Sequence, residues 1–125
     1  MRNIIIVDDD PVNNYVCTSM IRSVDSKTNI SSFTNPVKAF SYVSEFNLDS
    51  NTTILLDLNM PEMDGWEFLE RFGAIDKKCD IYIVTSSINP AEKERSQQYP
   101  VVKSFLSKPL SFNHVDNIVN HRAIC

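Results

Sequence analysis

Three short runs of apolar residues, Ile4-Ile5-Ile6-Val7, Ile54-Leu55-Leu56 and Ile81-Tyr82-Ile83-Val84, each stop abruptly at Asp8, Asp57 and Thr85. A run this short and unbroken by polar residues reads as a strand buried on both faces, which antiparallel sheets seldom supply. Between the runs the pattern changes to helical spacing. Pro11 suits a first helical turn, and Val12, Val16, Met20 and Val24 follow at intervals of four. Ile30 to Thr34 is a weaker strand with Phe33 as its anchor. Asn35-Pro36 then opens a helix whose apolar face is Ala39, Phe40, Val43 and Phe46. After a polar loop over residues 47–52 and the strand ending at Asp57, Trp66 to Phe72 is a helix that Gly73 stops. Asn89-Pro90 repeats the cap-and-proline start, but Ala91 to Gln98 is almost wholly polar and should pack weakly. Val101 to Leu106 is a fifth strand, and Ser111 caps a last helix with Val115, Ile118 and Val119 inward.

Five strands and five helices in strict alternation mean a doubly wound α/β fold, a parallel sheet with helices on both faces. At 125 residues the chain reads as one domain, 1–125, with a single self-sufficient core. The net charge of −4 and the lack of any basic run argue against nucleic acid as a direct partner. The opening apolar run is too short for a signal peptide or a membrane span, so the expected location is cytoplasmic, with no membrane contact. Cys17, Cys79 and Cys125 are odd in number and far apart, which supports neither a disulfide framework nor a zinc site.

Ligands of such sheets bind beyond the carboxyl ends of the strands. The first strand delivers Asp8, Asp9 and Asp10 there, the third Asp57, the fourth Thr85 and Ser86, and the fifth Lys108 followed by Pro109. The second delivers only Thr34. Clustered carboxylates repel and call for a cation, and oxygen donors without histidine or cysteine suit Mg²⁺. A metal, a free carboxylate and a lysine together suggest phosphoryl chemistry. Spacing alone leaves open which aspartate is the nucleophile. Asp10 serves as the cap of the helix at Pro11, and His114 and His121 are read as solvated.

The chain resembles the receiver domain of two-component response regulators over essentially its whole length. The residues that carry the resemblance are Val7-Asp8-Asp9, Leu56-Asp57-Leu58-Asn59-Met60-Pro61 with Met63-Asp64-Gly65, Val84-Thr85-Ser86, and Phe105-Leu106-Ser107-Lys108-Pro109. The resemblance implies the flavodoxin-like strand order 2-1-3-4-5. It implies Asp57 as phosphoacceptor, with Mg²⁺ held by Asp9 and Asp57 directly, Asp8 through water and Asn59 through its carbonyl. Lys108 would pair with Asp57 at rest and with the phosphoryl group afterwards. Thr85 and Phe105 would form the switch, and the Lys108–Pro109 bond would be cis.

Three positions depart from the common pattern: Phe105 replaces a frequent Tyr, Ser86 a small Ala, and Ser104 a frequent Gly. The implied partners are a sensor histidine kinase or histidine phosphotransfer protein as donor and an unknown downstream protein. The latter would meet the face of the fourth helix, fifth strand and fifth helix. The implied role is a signalling switch rather than a turnover enzyme. A small Mg²⁺-dependent aspartyl-phosphate phosphohydrolase, using a D-x-D at Asp8 and Asp10, is the alternative.

Overall fold

A computed structural model of the chain describes residues 3–45, 51–75, 79–87 and 89–120. Strands β1 (Asn3–Val7), β2 (Asn29–Phe33), β3 (Thr52–Leu56), β4 (Asp80–Thr85) and β5 (Val102–Ser107) alternate with five helices. The helices are α1 (Pro11–Val24), α2 (Pro36–Glu45), α3 (Gly65–Gly73), α4 (Pro90–Ser96) and α5 (Phe112–Val119). All four strand pairings are parallel, and the order is β2-β1-β3-β4-β5. The expected doubly wound α/β architecture is therefore present.

Side chains alternate along the central strands and feed two apolar layers. Ile5, Val7, Ile54, Leu56, Ile81 and Ile83 face α2 and α3, meeting Ala39, Val43, Phe68, Leu69 and Phe72. Ile4, Ile6, Leu55, Tyr82 and Val84 face α1 and α5, meeting Cys17, Ile21, Val115 and Ile118. Burial on both sides explains why these strands read as unbroken apolar runs. Four helix starts carry the caps their sequences suggest. Asp10, Asn35, Asn89 and Ser111 each accept a backbone N–H from the first turn of the helix that follows.

Two helical expectations need correction. The core-facing residues of α1 are Asn14, Cys17 and Ile21, with Met20 and Val24 at the margin. Val12 and Val16 are instead 68% and 43% exposed. Counting apolar residues misjudged the face because its first inward position is a polar one, Asn14. Gly73 does mark the end of α3, but not as a left-handed cap beyond it. It is the last helical residue, and Ala74 caps it in the right-handed conformation. A Cβ on Gly73 would meet no atom within 4 Å. Gly73→Ala should therefore stabilise the fold by about 0.4–1 kcal/mol through the unfolded chain's lost freedom, read as a rise in urea midpoint. Phe46, His121 and Cys125 lie outside the described residues.

Helix α4 is as polar as expected, and Ser96 is its only buried residue. Its attachment runs through side chains of α3. The Arg95 guanidinium lies 4.3 Å from the centre of the Trp66 ring, a cation–π contact. Tyr99 stacks on the other partner of the pair, its centroid 6.0 Å from that of Trp66. The Tyr99 hydroxyl donates to Glu70 at 2.6 Å. At the sheet edge, β5 carries a register shift opposite Ile81 and Tyr82. Bulges and a charged residue such as Lys103 blunt an edge strand against further pairing. Among the described residues no helix is long and apolar enough to cross a membrane.

Candidate functional site

Strand order reverses between β1 and β3, the position where a crevice opens in this class of sheet. Val7 and Leu56 are register partners there, so the residues that follow them, Asp8 and Asp57, leave the sheet side by side. Their backbones stay tied: Asp57 N–H donates to Val7 O at 2.9 Å, and Asp8 N–H to Phe33 O at 3.1 Å. The carboxylates of Asp8, Asp9 and Asp57 converge, with one oxygen from each inside a 4.8 Å group. Asp8 and Asp57 are buried and Asp9 is exposed, which leaves the cluster open on one side. Donors that are all oxygen match a hard divalent cation, so the residues fit the group expected from the sequence.

Lys108 reaches the cluster from β5. Its Nζ lies 2.6 Å from Asp8 Oδ2 and 3.5 Å from Asp57 Oδ2. Lys108 thus pairs with Asp57, as the resemblance implied, and more closely with Asp8, which it did not. Burial pushes the Asp57 carboxyl above the usual range, and the Asp8 charge adds to this. Lys108 and the Asn59 backbone N–H oppose the rise without cancelling it. Burial alone would lower the Lys108 ammonium, but the Asp8 hydrogen bond and the Asp57 charge outweigh it, and the net shift is upward. The site therefore holds more negative charge than one lysine neutralises.

The loop after Asp57 returns tightly. Met63 N–H donates to Pro61 O at 2.7 Å around Glu62, whose φ of 68° is left-handed. This is a γ-turn of the uncommon positive-φ kind. The return brings Gly65 N–H to Leu58 O at 2.9 Å. Met60 and Met63 are buried beneath it and belong to the core. Thr85, at the end of β4, is fully buried, and its hydroxyl accepts the Ser87 N–H at 3.2 Å. The Ser87 hydroxyl in turn donates to Glu92 in the first turn of α4. Phe105 is half-buried against the α2–α3 layer. Lys108–Pro109 is cis.

Asp10 stands apart from the cluster as the cap of α1, accepting Val12 N–H at 2.9 Å. A D-x-D pair at Asp8 and Asp10 is thus not formed. Two residues of the site escaped the sequence reading. Asn13 Nδ2 donates to Asp8 Oδ2 at 2.7 Å, and Asn14 Nδ2 donates to Asp8 O at 3.0 Å. Their positions three and four residues beyond Asp10, on the first turn of a capped helix, were the available signal. His114 also differs from expectation: its Nδ1 is buried and has no hydrogen-bond partner among the described residues, so the ring is not simply solvated.

The family model described as the response regulator receiver domain matches residues 4–120. The chain belongs to this family. A two-component response regulator from Cytophaga hutchinsonii superposes on the receiver with a TM-score of 0.85 at 26% identity, covering 97% of this chain and 96% of the other. The cyclic di-GMP phosphodiesterase response regulator RpfG of Xanthomonas campestris is 31% identical over 109 residues, 86% of this chain and 28% of its own length. Hybrid signal transduction histidine kinase L of Dictyostelium discoideum is 22% identical over 93% of the receiver and only 7% of its own length. In such curated relatives the receiver is therefore a minor part of the protein.

Proposed function

We propose that this receiver accepts a phosphoryl group on Asp57 from a phosphohistidine donor, a sensor histidine kinase or histidine phosphotransfer protein, in a Mg²⁺-dependent reaction. The observation that carries the reading is the convergence of Asp8, Asp9, Asp57 and Lys108 at the strand-order switch. An Asp57 carboxylate oxygen attacks phosphorus in line, the P–N bond breaks, and its electron pair returns to the imidazole nitrogen. Asp8, Asp9, Asp57 and the Asn59 carbonyl would hold Mg²⁺, which supplies positive charge for the phosphoryl oxygens. Lys108 moves from Asp8 to one phosphoryl oxygen, and the Thr85 hydroxyl leaves Ser87 N–H to donate to another. Because Ser87 also binds Glu92, that exchange pulls on the start of α4, and Phe105 repacks beside it. The α4–β5–α5 face then signals to a downstream protein. In this reading residues 1–125 act as one domain, a switch that catalyses its own phosphorylation and dephosphorylation.

The test is intact mass after incubation with acetyl phosphate. One phosphoryl increment that requires Mg²⁺ is expected. Steady phosphate release without an adduct would replace this reading with a phosphohydrolase.

The exposed face of α1 supports a docking place for the donor protein. Val12, Tyr15 and Val16 form an apolar stripe on the solvent side of α1, 68%, 73% and 43% exposed. The stripe starts one turn from Asp8, so a helix carrying the phosphohistidine can lie on it and still reach Asp57. Tyr15→Ala should slow transfer from a protein donor about tenfold while leaving acetyl phosphate kinetics within twofold. Stopped-flow measurements with both donors check this, and equal losses would refute the docking role.

A further inference from the structure

Asp8 carries an unusual load for a metal-facing carboxylate. Oδ1 accepts Asp10 N–H at 2.9 Å, while Oδ2 accepts both Asn13 Nδ2 at 2.7 Å and Lys108 Nζ at 2.6 Å. Asp8 is 2% exposed, so its two side-chain donors meet at Oδ2 with little bulk water beside them. A dication held at the cluster would compete with Lys108 for Asp8, and a phosphoryl group on Asp57 would compete with Asp8 for Lys108. The neutral amide of Asn13, on the first turn of α1 behind the Asp10 cap, shares that Oδ2 with the ammonium.

We infer that Asn13 is a positioning residue for the phosphoryl-transfer reaction: by sharing Asp8 Oδ2 with Lys108, it weakens Lys108's hold there and lets that lysine transfer. This deepens the reading of Asp57 as a Mg²⁺-dependent phosphoacceptor and rests on it. Without the amide, Lys108 is the sole side-chain donor to Asp8 among the described residues. The ammonium then binds harder and competes better against Mg²⁺.

The experiment is a two-by-two comparison of Asn13→Leu and Lys108→Ala. Mg²⁺ alone is the probe, and its Kd is read from the amide shifts of Asp9 and Asn59. Asn13→Leu should weaken Mg²⁺ about tenfold, the size of one charge-assisted hydrogen bond. In the Lys108→Ala background the same replacement should change Kd less than twofold, because no competitor remains. Asn13→Gln, which keeps the amide, should return Kd to within threefold of the parent. It also carries the test against Asn13→Ser should the leucine variant not fold. A purely structural role would lower affinity equally in both backgrounds and would overturn the inference. Unchanged affinity in Asn13→Leu would overturn it as well. A parent chain that binds no Mg²⁺ would instead overturn the metal-dependent reading itself, and this inference with it.

Discussion

Asp57→Asn is expected to abolish the phosphoryl adduct and, in metal-free buffer near pH 7, to raise the unfolding temperature. The first effect follows from the role proposed for Asp57, since an amide offers no carboxylate oxygen to attack phosphorus. The second follows from electrostatics. Burial and the Asp8 charge hold the Asp57 carboxyl above its unfolded value, so the ionised form is worse off in the folded chain than in the unfolded one. Its stabilising share is present below the ordinary carboxylate pKa and is lost as pH rises through the raised folded value. At neutral pH the charge therefore opposes folding. The neutral amide should add on the order of 1 kcal/mol, the usual scale for relieving strain at a functional site. The gain should shrink as pH falls toward the ordinary carboxylate range. Mg²⁺ should reverse the order of the two proteins, since at a hundredfold excess over Kd a bound ligand stabilises by roughly 2.7 kcal/mol. Calorimetry at two pH values, with and without Mg²⁺, checks the three stability outcomes, and intact mass checks the adduct. A variant less stable than the parent at pH 7 without metal would refute the electrostatic account.

Gly65→Ala should be the most damaging replacement outside the acidic cluster. A Cβ there would lie 2.6 Å from the Asp57 carbonyl oxygen, 2.8 Å from Leu58 Cα and 2.9 Å from Leu58 Cδ2. Two of these are backbone atoms and cannot swing aside. Either α3 retreats or the segment carrying Asp57 moves, and overpacking of this kind costs about 1–3 kcal/mol. Both responses disturb the site, because Gly65 N–H is bonded to Leu58 O in the same approach. We expect a lower urea midpoint together with at least a tenfold slower reaction with acetyl phosphate. The contrast with Gly73→Ala on the same helix is the control, since that site has open space. Equal behaviour of the two variants would show that the close approach does not constrain Asp57.

Much of the scaffold is legible in the sequence because its determinants are local. Unbroken apolar runs mark β1, β3 and β4, the strands covered on both faces, and an aspartate or asparagine before proline marks the starts of α1, α2 and α4. The sheet edge was fainter. In β2, Asn29–Phe33, two serines occupy a half-covered strand, and pattern alone says little about it. Helix α1 was misread for a different reason. Its inward stripe starts with Asn14, buried because its amide donates to Asp8 O and Phe33 O. Polarity counts cannot reveal a buried amide whose partners are backbone carbonyls from two other elements. The same limit hid the pairing of Lys108 with Asp8. Sequence brings Asp8, Asp57 and Lys108 to one rim, but which oxygen the ammonium prefers depends on distances of about an ångström.

The contact between Arg95 and Trp66 has a practical consequence. Trp66 is the chain's single tryptophan, and it sits where α3 meets the polar α4, with a guanidinium across its face. Indole emission responds to nearby cations and to water access. The protein thus carries its own optical probe at the joint between α3 and the helix proposed to move. Any displacement of α4 can be timed on the unlabelled chain by its fluorescence, and loss of the signal in Arg95→Ala would confirm where the light originates.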